Sequence, residues 1–272
     1  MRRLATLMIF VLASFEASAS DAPRVVSVNV CTDQLVMLLA DPSQIVSLSN
    51  LSDDPRSSAM AENAARFAKN NSQAEVIALQ DPDVVVAGAY TNPSMIALLR
   101  SIGIEVVQFP ITQSLQEIPR DIRRMGEVLG QEDRALALAS DFEAKLNGLP
   151  AVQADAPLAA FFMPNGFSVG AGTLSHDILS AGGARNLSDE LGFEGIGTLS
   201  LEQVILHQPD LLIGAPPFDG FSLSEEMVRH PALSEFPVIQ TSVDWVCGTP
   251  MVMNAIELVR DRVAEITAAG AD

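Results

Sequence analysis

Positive charge is scarce in this chain: 16 lysines and arginines stand against 34 aspartates and glutamates, a formal net charge of −18. Nucleic acid and anionic membrane would both be repelled by such a surface, which excludes them as partners. A partner carrying a cationic patch remains compatible with it. Histidine is also rare, and His176, His207 and His230 do not form a metal site by spacing. No Gly-rich phosphate loop and no paired-carboxylate pattern is present, which removes the commonest catalytic signatures. Beyond residue 19 no run is long and apolar enough to span a membrane. Aromatic residues make up only 5% of the chain, with one tyrosine (Tyr90) and one tryptophan (Trp245), and there are two cysteines, Cys31 and Cys247.

What is present is ample apolar material. At 272 residues and 48% apolar content, the chain can bury two cores of about 100 to 130 residues each. Residues 1–19 read as a secretory signal: Arg2-Arg3, the apolar Leu4 to Phe15, and the small-residue cleavage site Ala17-Ser18-Ala19. The mature protein is expected to begin at Ser20. Cys31 lies well past that point, so a lipid anchor is not expected, and the chain reads as a soluble protein of a Gram-negative periplasm.

One phrase occurs twice. Ser72, Glu75, Pro82-Asp83 and Val84-Val85-Val86 return 127 positions later as Glu202, Pro209-Asp210 and Leu211-Leu212-Ile213, with Ser200 in the place of Ser72. Each copy predicts a capped short helix, a stop enforced by proline and a buried strand. The serine three residues before Glu75 or Gln203 predicts a capping box in both. A doubled unit in a chain of this length suggests two similar lobes with a ligand cleft between them.

Around the two copies, strands alternate with helices, the pattern of parallel sheets covered by helices in an α/β fold. Expected strands are Arg24 to Val28, Ile45 to Leu48, Ile104 to Phe109, Leu158 to Met163 and Val238 to Thr241. Expected helices are Gln34 to Ala40 with Thr32 as a cap, Pro93 to Ser101, Ser175 to Ser180 and Met251 to Ala268. Between Ser114 and Leu149 two helical stretches meet at Gly130 with no strand, and the second has an apolar stripe at Leu136, Ala139, Phe142 and Leu146. It reads as a stiff connector, or else as a surface helix of one larger domain. The expected organisation is a signal at 1–19, a first lobe at 20–130, an interlobe helix at 131–149 and a second lobe at 150–272.

Four stretches in this order resemble the periplasmic binding proteins of ABC importers for cobalamin, iron siderophores or haem: Glu75 to Gly88, Leu99 to Val107, Ser175 to Asn186 and Leu199 to Gly214. The resemblance covers essentially the whole mature chain. It implies two Rossmann-like lobes with parallel sheets, joined by one long rigid helix, with a ligand cleft between them and no catalysis. It also implies partners: the importer's membrane permease subunits and a small-molecule ligand, taken up by a monomer. Glu75 and Glu202 match the acidic residues with which the family docks on permease arginines. The residues alone allow another role, favouring a helix start, and as the N3 member of its box Glu75 fits that role better than Glu202.

In such open sheets the ligand meets loops at the carboxyl ends of strands. That criterion selects Asn29 to Thr32, Gly88 to Asn92, Asn165 to Ser168, Gly195 to Thr198 and Asp244 to Thr249, and from them Cys31, Thr32, Tyr90, Phe167, Ile196, Trp245 and Cys247 as ligand contacts. Tyr90, Phe167 and Trp245 suggest a stacking surface for a flat or macrocyclic ligand. Cys31 and Cys247 leave three readings open: a disulfide, thiolates holding a soft metal or the metal of a chelate, or two unrelated thiols. These five loops hold no arginine, which disfavours anionic ferric chelates and sets a corrinoid slightly ahead of ferric siderophore and haem. The rival reading is a periplasmic serine hydrolase, since Gly166 to Gly170 matches G-x-S-x-G, with Asp210 or Asp219 and His230 completing the chain order.

Overall fold

The computed structural model describes residues 22–217, 220 and 222–269. The expected signal, its cleavage point at Ser20 and Asp219 lie outside them. The chain opens with β1 (Val25–Ser27), α1 (Val30–Leu39), β2 (Ile45–Ser49), α2 (Ala61–Ala64), β3 (Lys69–Asn70), α3 (Ala74–Ala78), β4 (Val84–Gly88), α4 (Pro93–Ser101) and β5 (Glu105–Phe109). These strands form one parallel sheet in the order β3-β2-β1-β4-β5. Then come α5 (Ile118–Leu129), α6 (Glu132–Asn147), β6 (Leu158–Phe161), β7 (Phe167–Val169), α7 (Leu174–Ala181), β8 (Arg185–Asn186), α8 (Leu187–Glu190), β9 (Ile196–Thr198), α9 (Leu201–His207), β10 (Leu211–Gly214), β11 (Val238–Gln240) and α10 (Val252–Ala269). A second parallel sheet has the order β11-β10-β6-β8, and β7 with β9 makes a separate antiparallel ribbon.

The central strands are buried on both faces, which is why they read as unbroken aliphatic runs. In β4, Val84 and Val86 join one apolar cluster while Val85 and Ala87 join another; in β10, Leu211 and Ile213 part from Leu212 in the same way. Burying each of these valine, leucine and isoleucine side chains contributes about 1.5–3 kcal/mol. The inner cluster is continuous through both lobes, running from Val25 and Val86 through Ile122 and Phe142 to Phe161, Ile213 and Val259. The lobes therefore share one core.

The two repeat copies fold alike. In each copy the residue just before the proline is left-handed, Gln208 (φ 45°) as the cap of α9 and Asp81 (φ 51°) two residues beyond the cap of α3, Leu79. The aspartate after the proline then fixes the neighbouring strand. Asp83 Oδ2 accepts from the amide of Arg24 (2.7 Å), and its own amide donates to Arg24 O (2.9 Å). Asp210 repeats this with Leu158 at 2.8 Å in both directions. The Pro-Asp pair thus sets the register of the central strand against the first strand of each lobe.

The copies differ at their helix starts. Ser200 Oγ accepts from Gln203 N (3.2 Å) while Gln203 Oε1 accepts from Ser200 N (2.9 Å), a complete capping box. The box expected at Ser72 and Glu75 is absent. Ser72 is left-handed (φ 56°), its amide is taken by Asn70 Oδ1, and Gln73 occupies the cap without a side-chain bond. Thr32 is not a cap either. Asn29 starts α1 earlier, its Oδ1 accepting from Cys31 N (3.0 Å) and Thr32 N (3.4 Å), which places Thr32 inside the first turn.

The chain passes between the sheets through α5 and α6. Gly130, left-handed at φ 65°, turns one into the other, and Gln131 N donates to Gly126 O (2.8 Å). A Cβ on Gly126 would collide with that of Ala135, so the helices cross closely, and Arg123 pairs with Glu143 across them (2.7 Å). With 16 residues, α6 is about 24 Å long. Arg134 binds it to Leu39 O and Asp41 at the end of α1.

Candidate functional site

The carboxyl ends of the first sheet carry exposed apolar side chains: Leu51 after β2, Tyr90 after β4 and Ile111 after β5. Tyr90 is 89% exposed, on a turn where Thr91 Oγ1 accepts from Gly88 N (3.1 Å). In the second lobe, residues 165–168 and 195–198 are not independent loops. Asn165 (φ 60°) and Gly166 (φ 71°) turn the chain from β6 into β7, which pairs with β9 so that Phe167 faces Thr198 and Val169 faces Ile196. Side chains two apart share a strand face, so Phe167 (39% exposed) and Ile196 (70% exposed) are diagonal neighbours on one side of the ribbon. Ser168 and Gly197 lie on the other side. Next to the ribbon, at the carboxyl ends of β6, β10 and β11, a cavity of about 170 Å³ is lined by Phe162, Pro164, Gly214, Ala215, Pro216 and Gln240.

Below these rims the lobes are joined covalently. Cys31 and Cys247 form a disulfide with Cα atoms 5.1 Å apart, which excludes thiolate ligation of a metal. No group of three or more His, Cys, Asp or Glu residues suited to a metal ion occurs among the described residues. Beside the bridge, Thr249 Oγ1 donates to Gln34 Oε1 (3.1 Å), Gly248 packs on Thr112 so closely that a Cβ would overlap it, and Leu115 N donates to Asp177 Oδ2 (3.0 Å). A cavity of about 40 Å³ opens next to Cys31, lined by Asn29, Thr32, Gly88, Thr112, Asp121 and Gly248.

Three of the expected contacts are enclosed: Cys247, buried at the bridge, Trp245 and Thr32. Trp245 is 5% exposed and packs edge-on against Phe161 with ring centroids 6.0 Å apart, so it offers no stacking face; the sequence shows its loop but not the pull of the inner core. Its Nε1 and Gln34 Nε2 are buried without a hydrogen-bond partner. Thr32 is 2% exposed, its hydroxyl bonded to Asn29 O (2.9 Å) and Ser27 Oγ (2.8 Å). Tyr90, Phe167 and Ile196 remain accessible.

Ser168 lies in a strand rather than on an elbow. It is fully buried, and its Oγ bonds to Ser188 Oγ (2.7 Å) rather than to a histidine. His176 Nδ1 meets Asn186 Nδ2 (3.2 Å), and His230 Nδ1 caps its own turn at Ala232 N (3.2 Å). This arrangement does not supply the nucleophile and base of a hydrolase.

The rim segment after β2 escaped the sequence reading because its polar composition signals only a loop. Asp33, fully buried in the first turn of α1, accepts from Ser49 N (3.1 Å) and Ser49 Oγ (2.5 Å) and so anchors this segment. Burial raises its pKa from 3.8 to about 6, against the lowering influence of Ser27, Ser49 and Lys69. Further along, Arg56 makes a bidentate pair with Asp54 (3.1 and 2.9 Å), so the rim does hold an arginine, with its charge already matched. Glu75 and Glu202 are both exposed near the N-termini of α3 and α9. Glu202 is held below the usual carboxylate range by its own backbone amide and by Ser200, so helix-start stabilisation acts on Glu202 and not through a box at Glu75.

Two parallel α/β sheets with a shared core, bridged by α6 and carrying apolar carboxyl edges, define a two-lobed binding fold. The chain belongs to the periplasmic binding protein family, whose model matches residues 25–242. Among curated relatives, a cobalamin-binding protein of Halobacterium salinarum is 20% identical over 240 residues, 86% of this chain, which spans only 64% of that relative's length. A vitamin B12-binding protein of Yersinia pestis is 23% identical over 272 residues, covering 97% of this chain and 94% of the relative. Among solved structures, the periplasmic haem-binding protein RhuT of Roseiflexus sp. RS-1 superposes with a TM-score of 0.70 at 20% identity, over 91% of this chain and 99% of that one. The periplasmic vitamin B12-binding protein BtuF of Vibrio cholerae gives 0.63 at 18% identity, over 90% and 98%. These structural likenesses are likenesses of fold.

Proposed function

We propose that this protein is the periplasmic substrate-binding component of an ABC importer and that it carries a metal chelate, a corrinoid ahead of haem or a ferric siderophore, without catalysis. The observation that carries the reading is the pair of exposed apolar rims, Tyr90 on one lobe and Phe167 with Ile196 on the other, at the carboxyl ends of two parallel sheets. A large, flat, largely apolar ligand fits such rims. The one arginine of the β2 rim segment supports the preference for a ligand without strong negative charge, because Asp54 already pairs with it. The B12-binding relatives point the same way. Glu75 and Glu202, exposed on the repeated helices, would meet cationic side chains of the permease. Each of these helices leads directly into an interior strand of its parallel sheet, α3 into β4 and α9 into β10.

Titration of the protein with cyanocobalamin, haemin and ferric citrate by isothermal calorimetry tests this. Cyanocobalamin is expected to bind at micromolar concentration or below, and Tyr90→Ala and Phe167→Ala are each expected to weaken it at least about tenfold, since base-like rings stacked on an aromatic contribute roughly 1–3 kcal/mol. Heat from haemin alone would move the assignment to haem. No binding of any of the three overturns the metal-chelate reading.

A further inference from the structure

Among the described residues the two most exposed aliphatic side chains are Leu79, at 88%, and Leu206, at 78%. They occupy the same position of the doubled unit, 127 residues apart, four residues after Glu75 and Glu202 respectively. Single exposed leucines are ordinary on a protein surface. Here the most exposed leucine of one lobe is matched by its counterpart in the other, and each stands beside the same acidic residue. Residues four apart on a helix are neighbours at about 6 Å, so each lobe presents one carboxylate and one leucine on a common face. Val76 (36%) and Ile205 (40%) extend the apolar surface, while Ile77 and Val204 point into the cores. Local structure does not require the leucines. Leu79 follows the last residue of α3 and Leu206 is the last but one of α9, and neither belongs to an apolar cluster.

We infer that Leu79 and Leu206 are paired apolar anchors that insert into two equivalent pockets of a dimeric permease, each pocket flanked by the cation that receives Glu75 or Glu202. The inference rests on the docking reading above and adds to it the hydrophobic half of the contact. A partner that matches both lobes must offer the same surface twice, which a pair of like subunits does. It must also be basic at that surface, because each leucine sits next to a carboxylate on a strongly acidic protein. A buried apolar anchor beside a charge-assisted contact is the composition of an interface hot spot, with the leucine excluding water from the ion pair.

The test compares two double variants, Leu79→Ser with Leu206→Ser and Glu75→Ala with Glu202→Ala. Each is titrated against the cognate permease–ATPase complex in nanodiscs, with affinity read by interferometry and coupling by ATPase rate. Thermal midpoints are checked first, and substitution at such exposed positions is expected to leave them unchanged. The serine variant is expected to lose at least about tenfold in permease affinity, and Leu79→Met with Leu206→Met to retain it. Loss in the glutamate variant with no loss in the serine variant overturns the anchors and leaves docking standing. No loss in either overturns docking itself. Should the leucines instead join two copies of this chain, sedimentation would show a dimer that the serine variant abolishes, and the permease assignment would fall.

Discussion

Cys31 on the first turn of α1 is bonded to Cys247, 216 residues later, just ahead of α10. The bridge ties the first lobe to the last segment of the second at a joint already held by Thr249 on Gln34 and by Gly248 on Thr112. A cross-link of that span removes much of the unfolded chain's freedom, worth about 5 kcal/mol in the chain-entropy model and often less in measurement. Cys31→Ser with Cys247→Ser is therefore expected to lower the unfolding free energy by about 2–5 kcal/mol. Urea unfolding of the untreated protein, the reduced protein and the double variant measures this. Equal midpoints in all three would show that the joint holds without the bond.

Among the described residues, Asp33 is the one carboxylate whose pKa burial raises, to about 6 from 3.8. The folded protein then binds this proton more tightly than the unfolded chain, so Asp33 makes stability fall as pH rises from about 4 to 6. The full effect is at most about 3 kcal/mol, of which roughly 1 kcal/mol develops between pH 5 and 7. Asp41 and Asp54, held low by Arg134 and Arg56, act in the opposite direction at lower pH. The contribution of Asp33 is isolated by comparison with Asp33→Asn, which keeps an acceptor for Ser49 N. The variant is expected to gain stability relative to the parent at pH 7 more than at pH 5. A constant difference across that range would mean that Asp33 does not titrate there.

The sheets were legible wherever both faces of a strand are buried. Val84 to Gly88 and Leu211 to Gly214 stand where their aliphatic runs predict, and the chain leaves the helical region before Pro82 and Pro209 as expected. Two-residue strands such as Lys69–Asn70 and Arg185–Asn186 have no period to read, because their pairing is set by neighbours. The Phe167–Val169 ribbon was hidden by its glycines, which suggest loops but here allow close approach to Phe193. In the site, the cysteine pair was readable as one of three alternatives because the chain has only two. The burial of Trp245 was not, since its loop position is local and its contact with Phe161 is not.

Gly248 has no left-handed backbone to explain it; space does. A Cβ there would overlap the Thr112 side chain on the opposite lobe. Gly248→Ala must push the segment from Cys247 to Thr249 away from the first lobe, and overpacking of this kind costs about 1–3 kcal/mol. Thr112→Gly in the same chain removes the obstructing atoms and is expected to restore part of the loss. The coupling between the two substitutions, taken from thermal unfolding of the single and double variants, is the measurement. Additive losses would show that the two residues do not meet.

Ser72 and Ser200 hold the same place in the repeated phrase and opposite places in the physics. Ser200 closes a capping box, and Ser200→Ala is expected to cost about 1 kcal/mol, typical of a lost N-cap. Ser72 caps nothing and sits at φ 56°, a conformation glycine adopts without steric penalty. Ser72→Ala should therefore leave the strain in place with little further change, and Ser72→Gly should be neutral or slightly stabilising. Chemical unfolding of the three variants separates the two roles. If Ser72→Ala were as damaging as Ser200→Ala, Ser72 would be capping α3 in solution, and the two lobes would start their repeat helices in the same way after all.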